Sequence, residues 1–229
     1  MCRRRRRVKP SARAAHVPAM IAAAFGAQIS CARSPGVRQM EAFLVSLGVV
    51  ALAEIGDKTQ LLALVLAARY RRPAPIILGI LVATLANHAL AGAVGAWLAA
   101  LIGPTAMRWI LGLSFIAMAA WTLIPDKFED EKAPGPPRFG VFGTTVVAFF
   151  LLEMGDKTQI ATVALAAKYA SLASVVAGTT AGMMLANVPA VLLGEVAARK
   201  LPMRVVHGIA GAIFLVLGVL VLLGIGALR

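Results

Sequence analysis

Cysteine and acidic residues are scarce in this chain, and where they lie excludes several classes of function. The 229 residues include two cysteines, Cys2 and Cys31. From Met40 onward there is therefore no internal disulfide, thiolate metal site or cysteine nucleophile. Residues 1–39 hold nine of the 23 Lys and Arg residues and no acid, which leaves 14 basic and 10 acidic residues beyond them. The formal charge of +13 thus comes mainly from this tail, and the remaining sequence gives no indication of a nucleic-acid partner.

Hydrophobic residues are abundant, at 60% of the chain, and the mean hydropathy is +0.84. Soluble proteins are nearer about 45–50% apolar. A helix that crosses a bilayer needs roughly 20 apolar residues, and the sequence has six such runs. The predicted helices are Ala42–Ala68, Pro75–Leu101, Trp109–Ile124, Val141–Ala167, Ser171–Ala198 and Val205–Leu228. We therefore predict an all-α membrane protein with six transmembrane helices.

The sequence repeats with an offset of 99 residues. Leu66–Tyr70 returns as Leu165–Tyr169 with one conservative change, and Gly79 corresponds to Gly178. Between the halves, Pro125–Arg138 holds four prolines and seven charged residues and reads as an exposed linker. Three helices per unit is an odd number, so the second unit enters the membrane from the opposite side, as in many secondary transporters. The predicted organisation is a basic tail (1–39), a three-helix repeat (40–124), the linker (125–138) and a second three-helix repeat (139–229).

One polar motif interrupts each half of this apolar sequence. Glu54–Gln60 (EIGDKTQ) recurs as Glu153–Gln159 (EMGDKTQ), and each glutamate is the thirteenth residue of a predicted 27-residue helix. A carboxylate near the centre of a bilayer costs about 2.5–3.5 kcal/mol even on the most lenient scale, so buried acids indicate a function. Hard cations such as Ca²⁺ and Mn²⁺ prefer oxygen ligands. The predicted metal ligands are Glu54, Asp57, Glu153 and Asp156.

Two lysines follow these acids at the spacing of helical ion pairs, Glu54 with Lys58 and Glu153 with Lys157. Four carboxylates and two ammonium groups leave a charge of −2, which one divalent cation balances. When the cation leaves, excess negative charge in a low dielectric favours protonation of the carboxylates. The charge count therefore predicts exchange of a divalent cation for protons.

Further polar residues are expected to line the pathway or to surround the ligands. Asn87 and Asn187 either hydrogen-bond between helices or contact the cation. On an ideal helix Thr59 points about 140° away from Glu54, so direct ligation by this threonine requires a distorted helix. This set comprises Lys58, Thr59, Gln60, Asn87, Lys157, Thr158, Gln159 and Asn187.

The twin Glu-x-Gly-Asp-Lys-Thr motifs resemble those of the Gdt-type family of cation/proton exchangers, which includes bacterial manganese exporters and Golgi and chloroplast manganese/calcium transporters. The resemblance covers Met40–Arg229. It implies Mn²⁺ or Ca²⁺ as transported substrate, no cofactor, no enzymatic activity, the motif acids as ligands, and a place in the bacterial inner membrane. A cation channel and an exporter of another small cationic solute remain alternatives.

The distribution of basic residues predicts the orientation of the chain. Loops on one side of the six helices carry nine Lys and Arg residues, and those on the other carry three if the tail is set aside. Because basic loops stay in the cytoplasm, the linker is expected there. The basic tail contradicts this orientation, so we expect it either to be a signal peptide within residues 3–31 or to be absent because translation starts at Met40.

Overall fold

The computed structural model describes residues 35–123, 139–193 and 203–224. These residues form eight α-helices and no β-strand, as expected for the all-α class. The helices are α1 (Pro35–Glu54), α2 (Lys58–Tyr70), α3 (Pro73–Leu101), α4 (Pro104–Thr122), α5 (Gly140–Glu153), α6 (Lys157–Lys168), α7 (Leu172–Leu193) and α8 (Met203–Leu223). The chain divides into two compact units, residues 1–38 and 39–229. Of the first unit the structure describes only the opening turn of α1, and all other described residues belong to the second.

The first and fourth predicted helices are each broken in two at the motif. Helix α1 ends at Glu54 and α2 begins at Lys58, while α5 ends at Glu153 and α6 begins at Lys157. Between them, Gly56 has a φ of 85° and Gly155 a φ of 86°. Glycine adopts positive φ without the clash that a Cβ would cause. The prediction of two continuous 27-residue helices was therefore wrong at the motif, because a glycine at each break leaves the helical region.

Three of the described helices are long and apolar enough to cross a membrane: α1, α3 and α7. Helix α5 and the His207–Leu223 part of α8 are apolar but shorter. Apolar side chains of α3 also lie on the outer surface of the bundle: Leu78, Leu85 and Leu90 are about half exposed. Apolar residues on an outer surface are expected of helices that face lipid.

Helices from one half of the chain pack closely on helices from the other. A Cβ on Gly79 of α3 would lie 2.7 Å from Cβ of Thr145 on α5. A Cβ on Gly178 of α7 would lie 2.4 Å from the carbonyl oxygen of Phe43 and 3.0 Å from Cβ of Ser46, both on α1. Glycine at these crossings lets two backbones approach, as small residues do between membrane helices. The two crossings correspond, because Gly79 and Gly178, like Ser46 and Thr145, are 99 residues apart.

Helices α4 and α8 form a second set of contacts that follows the same offset. The rings of Phe115 and Phe214 stack with their centroids 6.4 Å apart and their planes at 17°. A Cβ on Gly112 would meet Leu222, and one on Gly211 would meet Leu123. The repeat seen in the sequence thus corresponds to matched contacts at two places in the fold.

Candidate metal-binding site

The break in each motif is built in the same way. The backbone N–H of Asp57 donates to the carbonyl of Glu54 at 3.0 Å, and that of Asp156 donates to the carbonyl of Glu153 at 3.2 Å. The glycine that follows each glutamate by two positions donates its N–H to a glutamine side chain, Gly56 to Gln60 at 3.0 Å and Gly155 to Gln159 at 2.7 Å. The glutamine side chains, which we expected to line the pathway, accept the hydrogen bonds that hold the turn. Gln60 in addition donates to the carbonyl of Ala186 on α7 at 3.1 Å.

Carboxylates from both motif copies converge at these breaks. One oxygen from each of Glu54, Asp57 and Asp156 lies within 4.8 Å of the others. Glu54 and Asp57 are buried, at 0% and 2% exposure, and Asp156 is half-buried. Glu153 is buried and interacts electrostatically with all three. The structure thus brings three of the four predicted ligands into one cluster and sets the fourth beside it.

The motif threonines hold the glutamates. Thr59 donates a short hydrogen bond from its hydroxyl to Oε2 of Glu54, and Thr158 donates to Oε2 of Glu153 at 3.3 Å. The break turns each threonine back toward the glutamate five positions earlier, so the direction expected on an ideal helix does not apply. The other oxygen of each carboxylate, Oε1, is buried and accepts no hydrogen bond from the residues that the structure describes. A buried acceptor left in this state is costly, and a cation would satisfy it.

The lysines differ from the expected pairing within one helix. The Nζ atom of Lys157 lies 2.6 Å from Oδ1 of Asp57, and both side chains are buried. This ion pair joins the second motif to the first. Lys58 is exposed at the surface of the bundle. The predicted pairing of Glu153 with Lys157 presumed a continuous helix, and the chain leaves the helix between these two residues.

The two asparagines behave differently from each other. Asn87 on α3 donates to the carbonyl of Phe150 on α5 at 3.0 Å, which is the expected hydrogen bond between helices. Asn187 donates to the carbonyl of Met183 within its own helix at 3.1 Å. Each keeps a buried Oδ1 that has no partner among the described residues.

Ser46 and Thr145 are two further buried hydroxyl residues that the motif did not single out, although they are 99 residues apart and so occupy matching positions in the two repeats.

A comparison with protein families decides what this site belongs to. The family model described as "Divalent cation/proton antiporter GDT1" matches residues 42–130 and 141–227. The chain belongs to the GDT1 family. Each matched segment contains one copy of the motif, so the family pattern covers both halves of the cluster. The predicted resemblance is confirmed, and with it the assignment to membrane transport of divalent cations.

Individual relatives extend the match over most of their own length. The chain is 49% identical over 184 residues to a Vibrio cholerae protein named "Putative manganese exporter", covering 80% of this chain and 91% of that one. It is 31% identical over 200 residues to a GDT1-like protein of Synechocystis, covering 76% and 93%. It is 30% identical over 208 residues to GDT1-like protein 3 of Oryza sativa, covering 79% and 72%. A search of solved structures finds none that matches significantly.

Proposed function

We propose that the chain exchanges Mn²⁺ or Ca²⁺ for protons and exports the cation from the cytoplasm, with the four motif carboxylates as ligands. The observation that carries this proposal is the convergence of Glu54, Asp57 and Asp156 within 4.8 Å. Two oxygens on opposite sides of an ion, each at 2.3–2.6 Å, are about 5 Å apart. The cluster therefore has the dimensions of one coordination sphere. No cofactor is needed, because the metal is the substrate.

Charge and ligand chemistry favour a hard dication. Oxygen is the donor that Ca²⁺ and Mn²⁺ prefer, and the polar groups described at the cluster are carboxylates and the threonine hydroxyls that hydrogen-bond to the motif glutamates. The Oε1 atoms of Glu54 and Glu153 are buried acceptors to which the described residues donate no hydrogen bond. Protons compensate the charge when the cation leaves, since an uncompensated carboxylate cluster away from water is unstable. The family match does not support the channel or the exporter of another cationic solute.

We propose six membrane spans arranged as two inverted three-helix repeats. In this arrangement α1 with α2, and α5 with α6, each form one span broken at mid-depth. Discontinuous helices with the substrate site at their break are typical of inverted-repeat transporters. The matched crossings at Gly79 and Gly178 support it, because each half inserts its second span against the first span of the other.

Orientation and location belong to the same proposal. The linker at 125–138 lies in the cytoplasm of a bacterial inner-membrane protein, and the tail of residues 1–39 is dispensable for transport. The linker and residues 1–34 of the tail lie outside the described residues. The basis is the excess of Lys and Arg in the loops on the linker side.

Reconstitution into proteoliposomes tests the exchange. An imposed pH gradient should drive Mn²⁺ against its own concentration gradient, and added Mn²⁺ should move protons in the opposite direction. Parallel assays with Ca²⁺ and Mg²⁺ determine which cation is carried. Liposomes without protein give the leak rate. Mn²⁺ movement that only dissipates its own gradient, whatever the pH on either side, would contradict exchange.

A further inference from the structure

The two motif lysines occupy different environments although their local sequences are the same. Lys157 is 4% exposed and lies 2.6 Å from Asp57, which is itself a member of the carboxylate cluster. Lys58 is exposed. The aspartates show the opposite pattern, since Asp57 is buried and Asp156 is half-buried. One ammonium group, from the second repeat, therefore lies against the cation cluster.

Helix α6 itself does not favour a cation at this position. Lys157 is the first residue of α6, and the first turn of that helix contains no acid. The N-terminus of a helix carries a partial positive charge, which repels a cation. Burial of an ammonium group also removes its hydration. The attraction that holds Lys157 inside the bundle must therefore come from the carboxylates it faces, Asp57 first among them.

A bound dication and this ammonium group cannot both be close to Asp57 without strong repulsion. Like charges a few ångströms apart in a poorly hydrated interior repel far more than they would in water. The lysine side chain is a flexible four-carbon stem with a point charge at its end, so it can withdraw without movement of the backbone of α6. The same carboxylate then serves two cations in turn.

Resting on the proposed transport function, we propose that Lys157 is a tethered counter-cation that competes with the transported dication for Asp57. Its ammonium group neutralises Asp57 while no dication is bound and leaves when one enters. Lys157 thereby weakens dication binding enough for release, and the identical residue of the first repeat, Lys58, does not do so in this conformation. The lysine acts on the cation through Asp57 and is a positioning residue rather than a ligand.

Direct binding of Mn²⁺ to the purified full-length protein tests this competition. Calorimetric titrations at one fixed, mildly alkaline pH would compare wild type with Lys157→Gln, Lys157→Arg and Lys58→Gln. We expect Lys157→Gln to bind Mn²⁺ about tenfold or more tightly, since one unit charge is removed next to a ligand. Lys157→Arg should stay near wild type, and Lys58→Gln should tighten binding several-fold less. In proteoliposomes Lys157→Gln should lower both KM and the maximal rate, because tighter binding slows release.

A measurement on the wild-type protein tests the same competition without depending on the folding of a variant. Mass spectrometry after brief treatment with an amine-reactive reagent should show that Mn²⁺ increases labelling of Lys157, whereas Lys58 is labelled with or without the ion. Equal or weaker Mn²⁺ binding by a folded Lys157→Gln protein would overturn the competition, as would labelling of Lys157 that Mn²⁺ leaves unchanged. Wild-type protein that binds neither Mn²⁺ nor Ca²⁺ would instead refute the proposed function.

Discussion

The two copies of the motif are almost identical in sequence and different in environment. Both breaks have a glycine at a φ near 85°, the same backbone hydrogen bond and the same glutamine brace. Yet the first copy buries its aspartate and exposes its lysine, and the second buries its lysine and leaves its aspartate half-buried. Local sequence therefore determines the turn, whereas packing of the surrounding helices determines which charge enters the site.

The largest expected effect is the loss of Mn²⁺ transport when the glutamate of either motif copy is neutralised. Glu54→Gln and Glu153→Gln should each reduce Mn²⁺ transport by about a hundredfold or more, since loss of one ligand charge of a buried dication is a matter of several kcal/mol. Transport into proteoliposomes measures it. Glu41→Gln, which removes a carboxylate of α1 outside the cluster, is the control. Near wild-type transport by both site variants would show that the cluster does not carry the cation.

The aspartates of the two copies should differ in how much they contribute to the stability of the protein. Asp57→Asn removes the partner of the buried Lys157 and should lower the free energy of unfolding by about 3–5 kcal/mol, the usual cost of breaking a buried ion pair. Asp156→Asn changes a half-buried side chain and should cost clearly less. Thermal unfolding in detergent without added cation measures both. The double variant Asp57→Asn with Lys157→Gln should recover part of the loss, and equal losses for the two single aspartate variants would mean that the asymmetry does not exist in the protein.

The smallest expected effect is the loss of stability when the glycine of the shared turn is replaced. A Cβ at Gly155 would meet no atom within 4 Å, but its φ of 86° is unfavourable for any other residue. Gly155→Ala should therefore destabilise the protein by about 1–2 kcal/mol through backbone strain alone. Gly208→Ala, where a Cβ also meets nothing within 4 Å, is the matched control within a helix and should be neutral or slightly stabilising. If the two variants have equal stability in thermal unfolding, the break at Gly155 is not a fixed feature.

Sequence reasoning found the helical class, the repeat and the residues of the cluster because these depend on composition and on the 99-residue offset. It predicted continuous helices through both motifs, because a glycine alone does not specify a break: Gly79 and Gly178 stay helical in the same chain. It also missed the pairing of Lys157 with Asp57. Two equal motifs give no local signal that only one lysine is buried, because that outcome depends on the packing of helices distant in sequence.

The glycine crossings of α3 over α5 and of α7 over α1 have a mechanical consequence. With no side chain between the two backbones, the helices can tilt about each crossing, while sliding would bring residues with side chains to a point where a Cβ has no room. Because the sequence repeat relates the two crossings, a tilt at one is expected to have a counterpart at the other. The helices of this protein are therefore expected to move by coupled tilting at the two crossings rather than by sliding along their axes.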